Sequence, residues 1–245
     1  MKKLIFLALS FLIVSGMSFI PSRADLFTLE KDVKPTIEKR FLERNLNLGD
    51  PVFIRIFKQE SILEIWVKDG GLFRFYKAWP ICKYSGRLGP KLKEGDKQAP
   101  EGFYRVTLDA LNPNSQFHLS FNLGFPNEYD RYLGRTGSLL MVHGGCRSTG
   151  CYAMTDKGIE EIYLIVEQAL LAGQSYVPVH IFPFQMTPEN MALHANKPWM
   201  GFWRNLQEGY DLFNQSLMPP AVFARNGRYE FGPSSGVDYG HLNPD

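Results

Sequence analysis

The sequence predicts a mainly β domain with flanking helices. Three observations carry that reading. Residues 52–57, 61–67 and 72–81 form closely spaced runs rich in β-branched and aromatic side chains. Residues 85–102 (SGRLGPKLKEGDKQAPEG) hold too much glycine, proline and charge for a regular element. A sustained helical period appears only after residue 155, where Ile159, Ile162, Tyr163, Val166, Ala169 and Leu170 share one face.

Taken in order, Lys2 and Lys3 lead into an apolar run over residues 4–20, broken only by Ser10, Ser15, Gly16 and Ser18. That is the layout of a secretory signal peptide. Ser22-Arg23-Ala24 puts small residues at the two positions a signal peptidase reads, so cleavage after Ala24 is expected and Asp25 starts the mature, periplasmic chain. An uncleaved membrane anchor is the alternative, because about 17 apolar residues just span a bilayer. Both readings export the remainder. Removing residues 1–24 takes away Lys2, Lys3 and Arg23 and no acid, leaving 24 basic against 25 acidic residues. Such a balance argues against a nucleic-acid partner, which calls for a basic surplus or stripe.

Residues 28–48 place Leu29, Val33, Ile37, Phe41 and Leu42 near a four-residue spacing and read as an amphipathic approach helix ending at Gly49-Asp50-Pro51. The next three strands form an antiparallel meander, with Asp69-Gly70-Gly71 turning the second into the third. Residues 85–102 become a long loop, and loops of that length inside compact domains are usually functional. Further strands are expected over 103–108, 117–123 and 138–142, the last running into His143. The helix after residue 155 takes Thr155 or Asp156 as N-cap and stops at Gly173. A strand over 176–182, a helix start at Pro188-Glu189-Asn190 and helical spacing over 199–213 follow, with an irregular tail from Gly227. The organisation expected is a signal peptide (1–24), a helical approach (25–50), a catalytic domain (51–185) and a C-terminal helical extension with its tail (186–245).

The chemistry concentrates in residues 141–156, MVHGGCRSTGCYAMTD. His143 ends a strand, and Cys151 stands ahead of a helix. A thiol at a helix N-terminus and beside an imidazole is expected to ionise readily. Gly144, Gly145 and Gly150 let the backbone turn sharply and present N–H groups to a developing oxyanion. Other readings compete. Three cysteines in an exported chain allow one intramolecular disulfide: Cys82 with Cys146 leaves Cys151 free, and Cys146 with Cys151 abolishes the nucleophile. His143, Cys146 and Cys151 also supply three zinc ligands, although a fourth is missing nearby and the expectation is no metal. His118, His180, His194 and His241 have no such company and read as structural.

HGGCRSTGC resembles the signature of the L,D-transpeptidase (YkuD) catalytic-domain family, in which an HG pair precedes an S-x-G-C nucleophile motif. Residues 84–86, 89–91, 95–96 and 99–104 resemble the segment where that family sets Pro-x-Gly before a strand. Residues 127–131 and 134–137 look like its YafK-type branch. The resemblance implies a β-sandwich or barrel-like catalytic fold with Cys151 as the acylated nucleophile and His143 as general base. It also implies Gly144 as the residue orienting the imidazole, and Ser148 and Gly150 as shapers of the oxyanion pocket. Two positions depart from the pattern: Thr149 replaces a second histidine, and Ala153 stands where an arginine is common. Arg147, Arg131 and Arg135 are the candidates to meet a substrate carboxylate instead. The implied substrates are peptidoglycan stem peptides and a wall-attached lipoprotein, with acyl transfer to an amine or to water and no cofactor. A papain-like NlpC/P60-type hydrolase and a non-catalytic wall-binding domain are the alternatives. The first is disfavoured because its Cys precedes its His in the chain.

Overall fold

The computed structural model describes residues 29–233. The expected signal peptide, its cleavage point and His241 lie outside the described residues. Among those described, no helix is long and apolar enough to cross a membrane.

The chain enters through a π-helical turn, Leu29–Val33, that continues as α1, Lys34–Leu42. Ile37 and Phe41 on its inner face are buried, and the Phe41 ring lies 4.3 Å from that of Tyr76. The meander follows as expected: β1 (Val52–Phe57), β2 (Ile62–Asp69) and β3 (Leu72–Pro80) pair antiparallel in succession. Gly70 and Gly71 take φ of +57° and +106° at the β2–β3 turn, a region open to glycine at little steric cost. After the short β4 (Lys83–Tyr84), residues 85–101 form the expected loop before β5, Gly102–Val106. A 3₁₀ turn, Leu108–Ala110, leads to β6 (Leu111–Asn112) and β7 (Ser120–Asn122). The short helix α2 (Glu128–Tyr132) begins in a capping box formed by Asn127 and Asp130. Strands β8 (Met141–His143) and β9 (Tyr152–Ala153) enclose the Gly-rich turn. Helix α3 (Asp156–Leu171) is capped by the Thr155 hydroxyl, and β10 (Val177–Phe182), α4 (Pro188–Leu193) and α5 (Met200–Ser216) complete the helical half.

These strands form two five-stranded sheets, ordered β3-β2-β1-β10-β5 and β4-β9-β8-β7-β6. The β1–β10 and β8–β9 pairs are parallel. One core joins the sheets: Ile54, Ile56 and Ile65 of the first, Phe121, Val142 and Tyr152 of the second, and Ile159, Ile162 and Val166 of α3. Complete burial of each such side chain contributes about 1.5–3 kcal/mol. The fold is thus mixed sheets with a few flanking helices, as the sequence predicts.

The tail departs from expectation. Residues 221–232 form a hairpin, β11 (Ala221–Arg225) and β12 (Arg228–Gly232), turned at Asn226-Gly227 with φ of +49° and +71°. An Asn-Gly pair at positive φ is the strongest short-range hairpin signal, and its strands extend past the residue taken as the start of irregular chain. The hairpin is anchored by Tyr229, which stacks on Tyr129 at 4.2 Å and exchanges two backbone hydrogen bonds with the Asn205 side chain. Together with α5 it covers the second face of the first sheet, where Phe57, Phe103, Phe182, Trp203 and Leu206 pack. Central strands β1 and β10 are therefore buried along their whole length, which explains their continuous apolar character.

His180 on β10 lies edge-on between Phe53 and Phe103, each at 4.6 Å, and its Nδ1 has no partner among the described residues. Burial, assisted by the charge of Arg55, pushes its pKa down to about 3. An unfolded imidazole binds a proton near its ordinary pKa of about 6.5. Between those values unfolding takes up a proton, so stability falls as pH drops, by about 1.4 kcal/mol per unit for each such group. His180→Phe is expected to lose about 2 kcal/mol less than the wild type between neutral and mildly acidic pH, read by urea denaturation. Equal losses in both proteins would contradict this.

Candidate active site

The candidate nucleophile and base are set by the β8–β9 register. Val142 pairs with Tyr152 and His143 with Ala153, so Cys151, immediately before β9, falls level with Met141. Alternation then puts Met141, His143 and Cys151 on one face of the sheet. The Met141 N–H donates to Cys151 Sγ at 3.4 Å, and Sγ approaches the Leu139 carbonyl at 3.6 Å. His143 is 2% exposed, with the Phe117 ring 4.7 Å from its own. Its Nδ1 lies 2.6 Å from the Gly144 carbonyl, which assigns the proton to Nδ1 and the lone pair to Nε2. Among the described residues no hydrogen bond joins the thiol to the imidazole in this resting arrangement.

Both groups rest neutral. Burial raises the Cys151 pKa above its ordinary 9.0, against the opposing effects of the Met141 N–H and the charge of Lys91. Burial also lowers His143 below 6.5, with the Gly144 carbonyl opposing. The expectation of a thiol ionised by a helix N-terminus is corrected here. Strand β9 and the Thr155 cap separate Cys151 from α3, whose Asp156 side chain instead accepts from the Gly145 N–H at 2.7 Å.

The turn between His143 and Cys151 is pinned from several sides. A Cβ at Gly144 would stand 2.9 Å from the Phe117 carbonyl and 2.7 Å from Asp156 Oδ1, so only glycine fits. The disulfide is Cys82–Cys146, with Cα atoms 5.2 Å apart, and Cys151 is the free thiol. This resolves the pairing left open by the cysteine count and removes Cys146 from any zinc set with His143. The Ser148 hydroxyl donates to the Cys151 carbonyl at 2.6 Å, and the Gly150 N–H donates to Ser85 Oγ. Gly150, at φ +105°, thus shapes the turn with its N–H already engaged.

The candidate arginines separate. Arg135 is 8% exposed, its guanidinium bonded to Asp130 at 2.8 Å and 5.1 Å from the rings of Tyr129 and Phe202. That closed environment corrects its assignment as a substrate contact. Arg131 is exposed and donates to the Pro126 carbonyl at 2.5 Å. Arg147 lies exposed on the nucleophile turn and makes no ion pair among the described residues.

A cavity of about 290 Å³ is walled by Lys91, Glu94, Lys97, Leu139 and Thr149; Leu139, whose carbonyl lies 3.6 Å from Cys151 Sγ, borders it, and neither Cys151 nor His143 lines it. Lys91 is buried in that wall, its Nζ bonded to Asp96 at 2.6 Å and to the Lys93 carbonyl at 2.9 Å. A larger hollow of about 610 Å³, between α5 and the hairpin, holds none of the site residues.

The loop that walls the cavity is held by Lys58. Its Nζ is fully buried and donates to the carbonyls of Arg87, Gly89 and Ala99 and to Glu101 Oε1, at 2.8 to 3.1 Å. Glu101 in turn accepts from the Gly89 N–H and from Trp203 Nε1 of α5.

Residues 51–181 match the YkuD family, the L,D-transpeptidase catalytic domain. The chain belongs to that family. It is 49% identical over 182 residues, 74% of each chain, to YafK of Escherichia coli K12, whose own L,D-transpeptidase assignment is provisional. The same figures hold for YafK of Escherichia coli O157:H7. Among solved structures, the helical cell shape determining protein Pgp2 of Campylobacter jejuni aligns at 20% identity over 78% of this chain and 71% of that one, with a TM-score of 0.45. Its K307A mutant aligns over 67% of this chain and 56% of that one, also with a TM-score of 0.45. Bd1075 of Bdellovibrio bacteriovorus aligns at 19% identity over 56% of this chain and 48% of that one, with a TM-score of 0.37.

Two outcomes follow from these supports. Lys58→Met leaves the Glu101 carboxylate buried without its cation, and breaking a buried pair costs about 3–5 kcal/mol. Chemical denaturation is expected to show a loss of that order, and a loss within about 0.5 kcal/mol, the range of an ordinary surface change, would contradict the clamp. Cys82→Ser is expected to cost about 2–4 kcal/mol of stability. It should also speed alkylation of Cys151, because the turn carrying it loses its tether. An unchanged alkylation rate would show that the disulfide does not brace the site.

Proposed function

We propose that this protein is a cysteine-dependent peptidoglycan-modifying enzyme of the L,D-transpeptidase type, acting in the periplasm through an acyl-enzyme on Cys151. The family acts on peptidoglycan stem peptides. The observation that carries the reading is a free thiol, spared by the Cys82–Cys146 disulfide, on the same sheet face as a buried neutral imidazole.

In this mechanism His143 Nε2 takes the thiol proton as Sγ attacks the stem-peptide carbonyl. The Nδ1–H stays on the Gly144 carbonyl throughout. Negative charge on the carbonyl oxygen falls to the N–H groups of Thr149 and Cys151, which take no partner among the described residues. Ser148 and Gly150 act by fixing the turn that aims those groups. Collapse breaks the C–N bond, and the imidazolium returns its proton to the leaving amine. An amine or a water then attacks the thioester, which gives cross-linking or protein attachment in the first case and trimming or detachment of a wall-attached lipoprotein in the second. Arg147, exposed on the nucleophile turn, is the cation placed to meet a substrate carboxylate, and Arg131 is an outer contact. The chemistry assigned to these side chains calls for no cofactor.

The test is to incubate the mature protein with murein fragments and read the products by mass. Wild type is expected to give a new cross-linked mass or the gain of a water, and Cys151→Ala to give neither while remaining folded. Turnover by the variant would overturn the assignment. Because the reacting pair starts neutral, the rate should rise with pH along a limb centred below 6.5, where His143 loses its proton, and then stay level toward 9.0. The apparent values belong to the pair. A limb centred above neutrality would mean that the base is charged at working pH and would contradict the neutral-pair mechanism.

A further inference from the structure

The mechanism above puts a charge on His143, and among the described residues no acid is paired with that side chain. The imidazole is 2% exposed, so the imidazolium formed when it takes the thiol proton has little water around it. A charge in such a place is costly unless neighbouring groups replace its hydration. The carboxylates of α3 are engaged elsewhere: Asp156 accepts from the Gly145 N–H at 2.7 Å, and Glu160 lies 2.7 Å from His118 Nε2. Lys91 acts on the thiol. The His143 pKa is lowered by burial, with the Gly144 carbonyl alone opposing. That carbonyl occupies Nδ1–H, and the mechanism gives Nε2 to the thiol. What remains is the face of the ring.

Phe117 lies against that face. The two ring centroids are 4.7 Å apart and the planes differ by 32°, so the rings meet face to face. A positive charge over an aromatic face, within about 6 Å of its centroid, is attracted by the ring quadrupole. Neutral rings commonly meet edge to face instead, as at His180, whose plane stands at 75° to that of Phe53 and 88° to that of Phe103. The backbone fixes the placement of Phe117. Its carbonyl accepts from the Gly144 N–H at 3.0 Å, and its own N–H donates to Ser115 Oγ at 3.1 Å. A Cβ at Gly145 would stand 3.6 Å from the phenyl ring, so residues 143–145 all bear on this one side chain. His118, at φ +72°, takes the chain out of the extended form before β7, and its contact with Glu160 ties the segment to α3. Phe117 itself is 44% exposed, so a change of its side chain leaves the core intact.

We propose that Phe117 is a positioning residue that acts through His143: the face of its phenyl ring stabilises the imidazolium formed as the base takes the thiol proton. The neutral imidazole gains little from the same face. The contact is therefore stronger in the transition state than at rest, which is the condition for it to raise the rate. Stacking also holds the imidazole plane while the proton passes from Sγ to Nε2 and on to the leaving amine. The effect requires the π face and not only apolar bulk, because bulk without a quadrupole excludes water and gives the charge nothing in return. The inference rests on the assignment of His143 as base to Cys151.

The experiment compares wild type, Phe117→Leu, Phe117→Tyr and a protein carrying trifluorophenylalanine at position 117. Each is followed by alkylation of Cys151 with iodoacetamide as a function of pH and by turnover of murein fragments; His118, Glu160 and Asp156 are kept in all four. Phe117→Leu keeps the cover and removes the π face, so the imidazolium is less stable and the acidic limb of the alkylation profile should move to lower pH, by about one unit. Its plateau should fall about threefold, because the transition state carries only part of the charge, and the loss should appear in kcat with KM unchanged. Phe117→Tyr, which keeps the face, should match wild type. Trifluorophenylalanine has nearly the shape of phenylalanine with a depleted face and should follow leucine; it decides the matter if leucine repacks the loop. A limb and plateau unchanged by both leucine and trifluorophenylalanine overturn the role of Phe117. So does a limb that moves to higher pH, which would make the ring a water barrier only, or a loss confined to KM, which would make it a substrate contact. Alkylation keeps the two readings apart: if wild type fails to turn over murein while its alkylation limb still responds to Phe117→Leu, the function proposed above fails and the Phe117–His143 coupling stands.

Discussion

The buried Lys58–Glu101 pair is the constraint on which the rest of the site depends. Burying two opposite charges costs several kcal/mol of desolvation for each ion. Here the cost is offset by hydrogen bonds made to both partners: three carbonyls take the ammonium, and a backbone N–H and an indole N–H reach the carboxylate. Such a pair contributes little net stability compared with apolar residues of the same volume. What it does is fix geometry. The carbonyls it gathers belong to residues 87, 89 and 99, so the two ends of the long loop are held against the end of β1. Gln98 repeats the closure from the other side, its Nε2 donating to the Arg87 and Gly89 carbonyls. A charged, proline-containing segment with little core of its own thereby becomes a rigid wall beside the thiol.

From that wall the constraint passes to the chemistry. Ser85, at the start of the loop, holds the Gly150 N–H, and Cys82, just before it, holds Cys146. The nucleophile turn is thus fastened at two points to one short stretch of chain. Trp203 extends the connection to the C-terminal helix, so the segment beyond residue 185 both covers the first sheet and supports the loop through Glu101. The electrostatics are consistent with this enclosure. Burial acts on thiol and imidazole in opposite directions and leaves both uncharged, so reactivity rests on proton transfer within the pair and on a well-fixed N–H environment, with no stored thiolate.

Much of this was legible in the sequence, and the parts that were not share a physical cause. Strand β1 and helix α3 follow from local period and capping, and both stand within a residue or two of the expected bounds. Strands β7 and β8 are shorter than their apolar runs suggest, because Phe117 and Leu139 are drawn out of the ladder to flank the site. The hairpin at Asn226-Gly227 carried a readable turn signal that the charged, aromatic strand residues around it obscured. The thiol and imidazole could be picked out by motif. Their setting could not, since Ser85 meets Ser148 across 63 residues and Lys58 meets Glu101 across 43, and no local pattern marks such contacts. Arg135 was misread for the same reason: its partners, Asp130 and Phe202, are visible only once α2 and α5 are packed.

The central claim is that acyl groups pass through the sulfur of residue 151. Its most direct test is intact-mass analysis of the protein quenched during turnover of a stem peptide, followed by proteolytic mapping of any added mass. The account predicts a thioester-labile increment on the peptide containing Cys151, and on no other. Product accumulating while residue 151 stays unmodified, or an increment mapped to another side chain, would contradict it.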